Sequence, residues 1–134
     1  MAPTPPLPPA VRELGELRIY LTQADKHAAP GLRGRLFPAP LAHALVDKAH
    51  AFGILQATTH TSGYGYALGG AVRARHLEVE AGQLALCVEL LDERARLLAF
   101  CQQQQELLRG KVVVFRPVEQ WNVDQRLVSE IRKK

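Results

Sequence analysis

The sequence predicts an α+β protein with the element order βαββαβ, and three observations carry that prediction. Segments with an apolar residue at every second position are separated by segments with apolar residues at helical spacing. The helical segments stop at Gly53 and Gly110, and glycine readily ends a helix. The segments succeed one another as strand, helix, strand, strand, helix, strand. That order points to a ferredoxin-like sandwich, in which two helices cover one face of a four-stranded antiparallel sheet.

Each element has its own warrant. "ELRIYLT" (16–22) alternates Leu17, Ile19 and Leu21 against Arg18, Tyr20 and Thr22, as a strand with one buried face does. The connection at 23–39 is punctuated by proline and glycine and is long for a compact domain. It is therefore either functional or loosely ordered. "LAHALVDKAHAFG" puts Leu41, Ala44, Leu45, Ala49 and Phe52 on one helical face. "ILQATTHTS" is rich in β-branched residues and reads as the second strand. "HLEVE" and "QLALCVELL" give a third extended segment, interrupted at Ala81-Gly82. Asp92 is placed to cap the helix "ERARLLAFCQQQQELLRG", with Glu93 in its first turn. "KVVVFRPVEQW" is the last strand.

These elements divide the chain into a flexible proline-rich arm (1–14), one domain (15–122) and a basic C-terminal tail (123–134). A length of 134 residues suits one domain, and an apolar fraction of 47% with 22% charged residues is that of a soluble globular protein. The net charge of +4 is concentrated near the C-terminus and forms no basic stripe with interleaved aromatics, which argues against a nucleic-acid partner. Cys87 and Cys101 lie in no metal-ligand spacing and suit buried thiols of a reducing cytosol. The proline-rich start lacks the basic and apolar regions of a signal peptide, and no stretch is apolar enough to span a bilayer. A cytoplasmic protein without membrane insertion is expected.

The third strand goes beyond the fold. Leu84, Leu86, Val88 and Leu90 alternate with Ala85, Cys87 and Leu91, and Val112, Val113, Val114 and Phe115 run together in the last strand. Two helices cover one face of a sheet, so a second apolar face needs another cover. A second copy of the chain is the simplest one, and self-association is expected.

Thr59 to His76 is far longer than a hairpin turn and combines glycines 63, 65, 69 and 70 with Tyr64, Tyr66, Arg73 and Arg75. Glycines let main-chain N–H groups approach phosphates, arginines supply forked donors, and tyrosines offer stacking surfaces. A recognition loop is the functional reading, and a merely flexible loop is the bland one. His43, Asp47 and His50 share a helix face at a spacing compatible with a divalent metal, although scattered polar residues on an exposed face are common. No nucleophile–base pair, paired carboxylates or metalloprotease motif emerges, which argues against an enzyme.

"LRIYL", Gly63-Tyr64-Gly65, "CVELLDE", Gly110-Lys111 before three valines, and Pro117-Val118-Glu119 follow one another in an order that resembles the PII-like signalling superfamily. The resemblance covers roughly residues 16–121. It implies a homotrimer whose ligand sites lie in clefts between subunits and usually take an adenine nucleotide (ATP, ADP, AMP or cyclic AMP), with no metal. It implies that Gly63, Tyr64, Gly65, Arg73 and Arg75 belong to the mobile T-loop, and that Arg109, Gly110 and Lys111 form the phosphate-binding B-loop corner. It further implies that the loop at 61–76 docks onto a regulated protein such as a membrane transporter. The alternative, from another class, is a ferredoxin-like metal-binding protein of the CutA type using the histidines.

Overall fold

A computed structural model describes residues 10–66, 70–74 and 84–123. Strand β1 (Ala10–Thr22) lies inside a four-stranded sheet, between β7 (Ala85–Asp92) and β8 (Val112–Asn122), with β4 (Gln56–Thr61) outside β7. All three pairings are antiparallel. The order β4-β7-β1-β8 is that of a ferredoxin-like sheet, as the sequence predicts.

Register explains why one face is core. Leu17 pairs with Leu90, Ile19 with Val88 and Leu21 with Leu86, so these six side chains project from the same face. Helix α2 (Leu41–Phe52) lays Leu41, Ala42, Leu45 and Ala49 on them, and α3 (Arg94–Gln103) adds Leu97 and Phe100. Phe52 and Phe100 meet edge to face at 5.7 Å, which seals the two helices against each other. Gly53 ends α2 with φ of 92°, a left-handed conformation that suits glycine.

Several boundaries differ from the sequence reading, each for a local reason. β1 begins at Ala10, so residues 10–14, expected in the arm, pair with Val118 to Asn122 of β8. The connection at 23–39 is partly built: β2 (Lys26–His27) pairs with β3 (Ala39–Pro40) around the short helix α1 (Leu32–Leu36). The second long helix is kinked at Gln104 into α3 and α4 (Gln105–Leu108), where the backbone leaves helical angles. Asp92 is not the helix cap. That position falls to Glu93, and Asp92 is instead a buried hub, only 1% exposed. The segment "HLEVE", Arg75 and the C-terminal tail beyond Val123 lie outside the described residues.

The opposite face is mixed rather than evenly apolar. Tyr20, Val112 and Val114 are exposed there, but an ionic ladder crosses all four strands. Arg116 bonds Glu16 at 2.9 Å, Glu16 bonds Arg18 at 2.7 Å, and Glu89 lies 3.6 Å from Arg18 and 3.5 Å from His60. Burial pushes the Glu16 carboxyl up, but hydrogen bonds from Arg116 and Arg18 outweigh it and leave it below the usual carboxylate range.

Candidate functional site

The expected site residues other than Arg75, which lies outside the described residues, fall at one end of the sheet, in two corners. The first corner is the entry to β8. Gly110 turns the chain out of α4 with φ of 74°, and the Lys111 N–H donates to the Leu108 carbonyl at 3.0 Å. A Cβ at Gly110 would meet nothing within 4 Å, so it is backbone conformation that calls for glycine there. Arg109 points away into an exposed pair with Glu106 at 2.7 Å.

Lys111 is not a bare cation. Its ammonium donates to Asp25 Oδ1 at 2.5 Å, and both side chains are about three-quarters covered, at 23% and 25% exposed. Asp25 sits in the turn after β1, where its other oxygen accepts the Thr22 N–H at 2.8 Å and the Thr22 hydroxyl at 3.3 Å. Burial alone would raise the Asp25 pKa, but the bonds from Lys111 and Thr22 prevail and hold it below its ordinary value. Asp25 escaped the site predicted from sequence. The "ADKH" stretch marks a turn between strand and helix, and nothing in its spacing reveals a partner 86 positions away.

The second corner is the root of the glycine-rich loop at the end of β4. There β5 (Tyr64–Gly65) pairs with β6 (Arg73–Ala74), with Tyr64 opposite Ala74 and Gly65 opposite Arg73. Tyr64 is 76% exposed and Tyr66 68%. Gly63 and Gly65 do not have positive φ, and a Cβ at either would meet nothing closer than 3.9 Å. Within this chain neither position requires glycine.

Beneath the loop root is a mostly apolar hollow of about 300 Å³, which Tyr20, His60, Gly65, Tyr66 and Cys87 help to line. Ser62, also at its wall, has a buried hydroxyl without a hydrogen-bond partner among the described residues. Burial pushes the Cys87 thiol pKa up.

The two corners share an end of the sheet but not an edge. Thr61 of β4 pairs with Leu86, Leu86 with Leu21, and neighbouring Tyr20 with Val112. β4 and β8 are the outer strands, so three strand spacings, about 14 Å, separate the corners. The Gly63 to Gly65 backbone and Lys111 thus lie on opposite outer edges of the sheet within one chain.

The histidine face is separate again. His43 and Asp47 line a shallow groove of about 390 Å³ with Thr58 and Thr59, and His50 does not join them. Among the described residues, no three His, Cys, Asp or Glu side chains group as metal ligands would. No helix among them is long and apolar enough to cross a membrane.

The chain belongs to the DUF190 family (Uncharacterized ACR), whose model matches residues 15–120. No curated protein matches it. Among solved structures it is similar to CPII, a nitrogen regulatory PII-like protein from Thiomonas intermedia bound to ADP, AMP and bicarbonate. The identity is 15%, and the match covers 83% of this chain and 91% of CPII with a TM-score of 0.53. It is also similar to a protein of Thermus thermophilus described as PII-like and signalling. There the identity is 16%, the coverage 83% and 90%, and the TM-score 0.52. The fold is the PII-like one that the sequence motifs resemble.

Proposed function

We propose that this chain is a non-enzymatic, cytoplasmic regulator of the PII-like type, a trimer that senses an adenine nucleotide in clefts between its subunits. One observation carries the reading. The two corners that carry the glycines and Lys111 lie at the same end of the sheet but on opposite outer strands, about 14 Å apart. In a closed ring, the β8 edge of one subunit faces the β4 edge of the next, and the corners meet across the junction.

In that cleft Lys111 holds phosphate oxygens as a point charge. The backbone of Gly63 to Gly65 approaches them without side-chain obstruction, and Arg73 or Arg75 closes over them with a forked donor. Arg109 assists once it leaves Glu106. The apolar hollow below Tyr66 suits a planar base, since aromatic faces and apolar walls favour stacking. Structures of CPII with ADP and AMP support an adenine nucleotide for this fold. The loop at 61–76, with Tyr64 and Tyr66 standing out from its root, presents a surface that a regulated partner such as a membrane transporter reads.

Titration calorimetry with ATP, ADP, AMP and cyclic AMP tests the proposal. At least one should bind at micromolar concentration. A charge-assisted contact contributes about 1.5–3 kcal/mol, so Lys111→Ala should weaken binding roughly ten- to a hundredfold. Failure of all four to bind below millimolar would leave the loop as a protein-docking element alone.

A further inference from the structure

We propose that α1 and Phe37 form a docking knob for the surface of an anionic lipid bilayer. Leu32, Leu36 and Phe37 enter the interface, and Arg33 and Arg35 hold its headgroups. The inference is independent of the nucleotide site and stands or falls without it.

The chain builds this knob with backbone bonds. β2 and β3 pair Lys26 with Pro40 and His27 with Ala39, and the Leu41 N–H donates to the Asp25 carbonyl at 2.8 Å. Those contacts close a neck around the excursion at 28–38. Within it the Arg35 N–H donates to the Gly31 carbonyl at 3.2 Å, and the Phe37 N–H to the Arg33 carbonyl at 2.9 Å. A Cβ at Gly34 would collide with the Ala29 carbonyl oxygen, so the helical turn packs against the chain that leads into it. Yet α1 buries no residue, and from 28 to 39 every residue but Gly34 is exposed. Leu32, Leu36 and Phe37 are 71%, 62% and 75% exposed. Three large apolar side chains held together in water gain nothing within the chain, and such a patch marks an interaction surface.

Charge selects the partner. Residues 23–40 hold Lys26, Arg33 and Arg35 against one acid, Asp25, and Lys111 already pairs with that acid. Among the described residues, Lys26, Arg33 and Arg35 have no ion pair or side-chain hydrogen bond. Unpaired cations beside apolar side chains match an anionic bilayer, which sets negative headgroups over hydrocarbon. Leu32 and Leu36 are one helical turn apart and share a face, and Phe37 follows directly. The arginine stems can lie along apolar surface while their guanidinium groups stay among the headgroups. A protein groove reads a helix through anchors spread over about two turns or more. α1 offers a single such pair, whereas a bilayer needs no matching groove. The contact is peripheral, because five residues of helix cannot span the hydrocarbon.

The test is co-sedimentation of the full chain with vesicles of phosphatidylcholine alone and of phosphatidylcholine and phosphatidylglycerol in equal parts. The parent should bind the anionic vesicles, less so at high salt, and leave the neutral ones largely free. Replacing Leu32, Leu36 and Phe37 together by serine should weaken that binding at least about tenfold. Arg33→Gln with Arg35→Gln should weaken it roughly thirtyfold, the loss expected of two cations at an anionic surface. The basic C-terminus is the competing source of attraction, so Arg132, Lys133 and Lys134 are replaced by glutamine as a control. That control should still depend on Leu32, Leu36 and Phe37. Binding that the serine variant retains in full, or that the C-terminal control alone abolishes, would overturn the knob. Absence of binding to both vesicles would also overturn it, and would leave an acidic protein groove as the occupant. Should the serine variant fail to fold, Leu36→Trp should show a larger fluorescence blue shift on anionic vesicles than the parent, and an equal shift would refute insertion.

Discussion

Arg96 lies one turn along α3 from Asp92 and bonds its carboxylate at 3.0 Å, and the same guanidinium reaches back to the Gly53 carbonyl at 2.9 Å. Asp92 also accepts the Leu55 N–H at 3.2 Å. Two residues thereby join the end of β7, the start of α3, the end of α2 and the approach to β4. The Arg96 guanidinium also stacks over Phe52 at 5.4 Å, so its planar face packs while its edge donates.

The pair is asymmetric, with Asp92 1% exposed and Arg96 44%. Asp92→Ala leaves Arg96 to water but deprives the Leu55 and Glu93 N–H groups of their acceptor, so it should destabilise the chain by about 1–3 kcal/mol, read as a lower urea midpoint. Arg96→Ala should cost less, because Arg96 is partly solvated and its loss exposes Asp92 to water. Equal, small losses for both variants would show that the hub contributes nothing beyond surface pairing.

The second prediction concerns acid. The Asp25 pKa is lowered in the folded chain, despite burial, by its bonds from Lys111 and Thr22. A carboxyl depressed on folding contributes stability above its unfolded pKa, near 3.9, and loses it as pH falls through the folded value. Glu16 is lowered in the same direction by Arg116 and Arg18. Thermal stability should be flat above about pH 5 and decline below about pH 4, and Asp25→Asn should make that decline shallower. An unchanged slope in Asp25→Asn would mean that the pair with Lys111 adds nothing to stability.

Glycines separate fold from function in the third prediction. A Cβ at Gly15 would sit 2.2 Å from a ring carbon of Phe115 and 3.0 Å from Leu97, on the helix-covered side of β1. Gly15→Ala should force that ring aside and cost about 1–3 kcal/mol in a denaturant melt. Gly63→Ala should leave stability unchanged, since nothing lies within 4 Å of its Cβ. If it also lowers nucleotide affinity, the glycine serves the ligand. A melt of Gly15→Ala indistinguishable from the parent would show that Phe115 yields freely.

The contrast shows what the residues disclosed. Period-two alternation in β1 and β7 placed Leu17, Ile19, Leu86 and Val88 on one face, because register repeats what local pattern specifies. The helix stop at Gly53 was equally legible, being a local matter of backbone conformation. The Asp25–Lys111 pair was not, since it joins the two ends of the sequence through the antiparallel pairing of β1 and β8. Nor was the ladder from Arg116 to His60, which needs the order of all four strands before its members become neighbours. Alternation alone made the second face look greasier than it is, because Glu16, Arg18 and Glu89 share it with Tyr20 and Val114.

The last prediction is the assembly. Tyr20, Val112 and Val114 leave apolar surface on the open face of the sheet, with Val114 45% exposed. The ladder beside them pairs Glu16 and Glu89 with three basic partners within the chain, which reduces the cost of covering this face with a like face. Light scattering should therefore give about three times the chain mass of 14.8 kDa. Val114→Lys adds a cation between Arg18, its register partner on β1, and Arg116 two residues along β8. Like charges crowded against a covered apolar face should shift the mass towards the monomer and abolish nucleotide binding, since a cleft needs two subunits. A parent protein that is monomeric at micromolar concentration, or a Val114→Lys monomer that still binds nucleotide with full affinity, would place the ligand within one chain.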